Sequence, residues 1–156
     1  MKQLPFIKTS TVIKGFNESQ LASTERNDCV VRSISVAFSV PYEDAHKFVE
    51  QRFGRKFREG TKFFGTRMNT IASSEKKIFD TEFKSLGNLK YEVTIKGKTK
   101  KRWMTVGTFV KQNPVGTFII LVKGHAFSVI DGHVIGNYQD STKPKRRIYN
   151  VWEIFY

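Results

Sequence analysis

The stretch NDCVVRSISVAF, Asn27 to Phe38, decides how the chain is read. Val30, Val31, Ile34, Ala37 and Phe38 recur at helical spacing, so one face of a helix is apolar. Asp28 stands at the N-cap, where its carboxylate is expected to accept from free N–H groups of the first turn. Cys29, the only cysteine of the chain, opens the helix. A thiol there faces unpaired N–H groups and the positive end of the macrodipole, and both favour the nucleophilic thiolate. The alternative is a free cysteine that only packs.

Downstream, Pro41 ends this helix and opens a second, with Glu43 and Asp44 near its positive end and Ala45, Phe48, Val49 and Phe53 on its apolar face. Gly54 stops it. Residues 54–66 read as a basic loop and 66–74 as a short helix. Tyr91, Val93 and Ile95 alternate as a strand, and Lys96–Arg102 follows as a basic turn. Thr105 caps a helix with Val106, Phe109 and Val110 on its face, and Asn113-Pro114 breaks it. Gly116–Lys123 reads as a buried strand. Residues 126–130 and 133–138 form a hairpin about Asp131-Gly132, and Arg147–Phe155 is a last strand. Upstream, residues 1–26 read as an irregular arm with a short strand near Thr11–Ile13. Helices come first and antiparallel strands after, the α+β arrangement, in one domain spanning 1–156.

The 156 residues, 39% apolar with 14 Phe, suffice for a core without disulfide or metal. One cysteine excludes an intrachain disulfide and Cys-rich zinc sites, and no cofactor is implied. MKQLPFIKTS lacks an apolar leader core, and the longest apolar run, Phe118–Val122, is too short to span a bilayer. A soluble, cytoplasmic protein with no membrane association is expected. Net charge of +13 draws the chain to nucleic acid or an acidic protein partner, through Lys96–Arg102 and Lys143–Arg147. Trp103 and Phe63-Phe64 lie beside basic residues, as base-stacking rings do. A solvated basic surface is the plain alternative.

His125, after Gly124 and between two apolar strands, supplies a base for Cys29 across a long sequence separation. A third group should orient the ring. Hairpin pairing across Asp131-Gly132 sets His125 opposite Asn137 or Tyr138, so Asn137 comes first, with Asp140 second if the strand turns back. His46 reads as a surface residue and His133 as a turn residue, both without a role. Arg32, one turn after Cys29, reads as a structural ion-pair residue ahead of a substrate clamp.

Asn-Asp-Cys followed by the apolar helix, with Gly124-His125 leading into GHAFSVIDGHVIGNYQD, resembles the papain-like cysteine peptidases. The order Cys, His, then Asn or Asp is similar to theirs. The chain also resembles the bacteriocin-processing peptidases of transporters and, most nearly, small phage and bacterial proteins with an Asn-Asp-Cys-x-x-Arg start. The resemblance covers about residues 27–50 and 105–140. It implies helices packed on a C-terminal antiparallel sheet. It also implies a thiolate–imidazolium pair attacking the carbonyl of a protein or peptide substrate, with residues 54–104 building one wall of the cleft. The family places a Gln upstream of its cysteine; here Ser23 holds that position, leaving Gln20 or Asn27 as the oxyanion donor. A papain-like scaffold without turnover, binding nucleic acid or an acidic partner, is the second reading.

Overall fold

The computed structural model describes residues 3–156, which form a mixed α+β structure. Seven strands make the main sheet in the order β1-β8-β7-β6-β9-β3-β2. They are β1 (Phe6–Lys8), β2 (Lys77–Ile78), β3 (Thr81–Gly87), β6 (Thr117–Val122), β7 (His125–Ile130), β8 (His133–Gly136) and β9 (Asn150–Phe155). A separate ribbon pairs β4 (Lys90–Ile95) with β5 (Lys98–Trp103). The helices are α1 (Thr9–Val12), α2 (Gln20–Thr24), α3 (Cys29–Phe38), α4 (Tyr42–Phe53), α5 (Phe64–Ser74), α6 (Val106–Gln112) and α7 (Tyr138–Thr142).

Strand β6 lies at the centre because both of its faces are apolar. Ile119 and Leu121 join one core with α3, α4 and α5, while Phe118, Ile120 and Val122 join a second with Val106, Phe109 and Val110 of α6. Alternation of side chains along a strand makes this division. The helices of the first core are joined by Trp152 of β9, which is fully buried and donates through Nε1 to Asn69 Oδ1 of α5 at 2.9 Å. The β7–β8 hairpin turns at Asp131 and Gly132, whose φ values of 47° and 78° fit a type I′ turn.

Several expectations need correction. Among the described residues, 3–26 are not a wholly irregular arm: Phe6–Lys8 pairs in parallel with β8, and Thr11 and Val12 are helical rather than in a strand. The sheet is therefore mixed, and β1 enters it before any helix. Helix α3 stops at Ser39, in the left-handed conformation at φ 56°, before Pro41 is reached; Pro41 is the N-cap of α4. Of Lys96–Arg102 only Lys96 and Gly97 form a turn, with φ of 51° and 74°, because Lys98–Trp103 pairs along its whole length with β4. The high charge of this strand hid it, since an exposed ribbon needs no apolar alternation.

No helix of the described residues is long and apolar enough to cross a membrane. Ile119→Ala should test the central position of β6. Removing this fully buried side chain is expected to cost about 2–5 kcal/mol, read as a lower urea midpoint with an unchanged slope.

Candidate active site

Cys29 is the first residue of α3, and this helix is held tightly to β7. Ser128 of β7 is completely buried and donates through Oγ to the Ser33 carbonyl at 3.0 Å; Ser33 Oγ donates to the Cys29 carbonyl at 2.6 Å. These bonds link the start of α3 to the strand that begins with His125. Asp28 does not cap the helix through its side chain. Its φ of −106° and ψ of 25° are not the extended values of a capping residue. The carboxylate instead accepts from Tyr42 Oη at 2.7 Å and Arg32 Nε at 3.1 Å. Burial, with the hydrogen bond and charge of Asp28, pushes the Tyr42 phenol far up, so it stays a donor. The Cys29, Val30 and Val31 N–H groups consequently have no acceptor among the described residues.

His125 follows the turn at Gly124, whose φ is 67°. Its Nε2 lies 2.9 and 3.0 Å from the two carboxylate oxygens of Asp140, so Nδ1 is the nitrogen left for the thiol. The ring stacks on Phe127 at 5.9 Å between centroids. Burial alone would lower the pKa of His125, but hydrogen bonds with Asp140 and Cys29, and the charges of both, raise it to about 9. Burial acts to raise Asp140, yet the hydrogen bonds from His125 and Arg146 and the Asn137 N–H hold its carboxyl below the usual range.

The geometry thus puts Asp140, the second choice, on His125 and not Asn137. Pairing of β7 with β8 reaches only Ser128 opposite Ile135. The chain leaves the sheet after Gly136, Asn137 becomes the N-cap of α7, and Asp140 folds back to accept from the Asn137 N–H at 2.8 Å. Gly136 permits this return. A Cβ there would stand 2.4 Å from Asp140 Oδ2 and 2.9 Å from Phe127 Cβ.

A cleft of about 880 Å³ opens over Cys29 and His125. Asn27 lines it, with φ of 55° and its Nδ2 donating to the Arg58 carbonyl at 3.0 Å. Gln20 is exposed on α2 and is not part of the lining, so it drops out as an oxyanion donor. Of residues 54–104, only Gly60, Thr61 and the run 63–66 contribute to the walls. At the rim, Phe63 is 72% exposed with φ of 57°, an uncommon conformation for a bulky residue.

A buried charge cluster beneath the loop before Cys29 escaped the sequence reading. Glu25, its side chain fully covered, accepts from Arg55 at 2.6 and 3.1 Å, pairs with His46 Nε2 at 2.6 Å, and accepts from the Arg58 N–H at 2.8 Å. Burial would raise Glu25, but the bonds from Arg55, His46 and Arg58 hold it at about 2. The same contacts raise Arg55 against its own burial. His46 is therefore buried and structural, not at the surface. No local spacing signals this cluster, because its members sit on α4 and two loops. Arg32 does form an ion pair, with Asp28, and donates to Thr9 Oγ1 at 3.1 Å. His133 is exposed, with its Nδ1 3.0 Å from the Asp131 carbonyl oxygen. No group of three or more metal-ligating side chains occurs among the described residues.

Comparison with protein-family models, with curated proteins and with solved structures gives no match for this chain. The site therefore stands on its own geometry.

Two outcomes follow. NMR titration should place the His125 midpoint near pH 9, and Asp140→Asn or Gly136→Ala should bring it down toward 6.5. Because the folded pKa is raised, the His125 contribution to stability is complete below about pH 6.5 and is lost as pH rises through about 9. Asp140 has the opposite sense: its contribution holds above 3.8 and is lost as pH falls through its depressed value. Separately, Glu25→Ala strands the buried Arg55 guanidinium and should cost about 3–5 kcal/mol in urea unfolding.

Proposed function

We propose that this chain is a papain-like cysteine hydrolase acting on an amide bond of a protein or peptide substrate. The observation that carries the proposal is that Cys29 and His125 line one cleft while the buried Asp140 holds the far side of the imidazole, which raises the His125 pKa to about 9. An imidazolium between a thiol and a buried carboxylate stabilises the thiolate that attacks a carbonyl.

In this reading the Cys29 sulfur bonds to the substrate carbonyl carbon, and the carbonyl π electrons move to oxygen. Cys29 and Val30 line the cleft, and in this reading their N–H groups, left without an intrahelical acceptor, take the role that the family gives to a side-chain donor. His125 gives its Nδ1 proton to the leaving amine as the C–N bond breaks. It then takes a proton from water, which attacks the thioester and releases the acid and the thiolate. Asp140 holds the imidazole tautomer through Nε2 and stabilises its charge. Asn27 ties the start of the helix to the loop at Arg58, whose carbonyl takes one of its two amide protons.

Because the chain has one cysteine, alkylation by iodoacetamide reports on Cys29 alone. At pH 6 the native protein should react faster than a free cysteine, and His125→Ala should slow it at least tenfold. Cys29→Ala should abolish turnover of any peptide substrate found by library screening. Free-thiol rates in both proteins would end the hydrolase reading.

A further inference from the structure

The two basic clusters, separated by some forty residues in the sequence, meet in space. Arg147 stacks over the Trp103 ring at 3.7 Å and over Tyr149 at 4.7 Å, and Lys90 covers Trp103 at 4.2 Å. A backbone bridge joins Thr105 to Arg147 at the same place. The β4–β5 ribbon therefore rises from an anchored base and belongs to its own two-stranded sheet. Every residue of β5 is exposed. Cross-strand register puts Lys98, Lys100 and Arg102 on one face, opposite Ile95, Val93 and Tyr91. The other face carries Lys101 opposite Glu92. None of Lys96, Lys98, Lys100, Lys101, Arg102 and Arg147 has a carboxylate within ion-pair distance among the described residues.

We infer that this ribbon binds the phosphate backbone of duplex DNA through its exposed cationic strand β5. Six paired residues span about 20 Å, and every side chain of β5 along that length is exposed. Alternation sets three unpaired cations along one edge at intervals of about 7 Å, a spacing at which each meets a separate phosphate. Trp103 is clamped between two cations and is spent on anchoring the ribbon, not on stacking with a base. A lipid surface fits less well. Tyr91 packs against the second core and Val93 is half-buried, so Ile95 is the one large apolar side chain exposed on the ribbon face.

The test is fluorescence anisotropy with a labelled 20-bp DNA duplex, in potassium chloride from 50 to 200 mM. Two triple variants are compared with the native chain: K98Q/K100Q/R102Q on the ribbon, and K47Q/K77Q/K111Q at exposed positions elsewhere. Both lower the net charge of +13 by three. The ribbon variant should bind at least tenfold more weakly, and its log–log salt slope should be shallower by about 0.9 for each lost contact, near three in all. The second variant should bind nearly as the native chain does. Equal losses in the two variants would reduce the effect to net charge and overturn the proposal. So would no binding at 50 mM salt, or displacement of the duplex by polyglutamate or by phosphatidylglycerol vesicles at equal charge concentration. Both variants change only exposed side chains, and matching thermal melts confirm that each is folded.

Discussion

The junction between α3 and β7 sets everything else in this molecule. A helix that carries Cys29 on its first turn is buried along nearly its whole length against a strand that begins with His125. The Ser128 hydroxyl, buried with its acceptor at Ser33, fixes the axial position of the helix on the strand. A buried hydroxyl without a partner costs about 1–3 kcal/mol, so sliding the helix along the strand is penalised. Apolar contact alone is non-directional and cannot set such a register. The distance between thiol and imidazole is thus a property of the core.

Around this junction the charges are arranged in two closed groups. Asp140 serves His125, Arg146 and the cap of α7 at once. Glu25 serves Arg55, His46 and the Arg58 N–H. The second group holds the loop that delivers Asp28 and Cys29, while Asp28 itself is drawn to Tyr42 and Arg32. That diversion leaves the first amides of α3 free. A helix terminus whose own cap is occupied elsewhere is a ready place for developing negative charge.

The same economy explains the basic surface. Arg146 neutralises Asp140, and Arg147 is committed to two aromatic rings, so part of Lys143–Arg147 is structural. Lys96–Arg102 has no such internal task, and its charges remain on a ribbon outside the main sheet.

Much of this was legible in the sequence. The apolar period of residues 30–38, the Asp131-Gly132 turn, the Thr105 cap and the continuous run at 118–122 are local signals, and each corresponds to an element. Cys29 and His125 stood out because a thiol at a helix start and an imidazole among apolar strands are chemically conspicuous. What local pattern could not carry was the partner of each polar group. Whether Asn137 or Asp140 meets His125 depends on where β8 stops pairing, and Gly136 lets the carboxylate come close. Whether Asp28 caps its helix depends on Tyr42 from the next one. The Glu25–Arg55–His46 cluster joins residues from three segments and leaves no periodic trace. The sequence by itself determined the elements, because backbone conformation answers to near neighbours in the chain. Only the tertiary structure decided the hydrogen-bond partners, because a buried charge pairs with whatever the packing brings within about 3 Å.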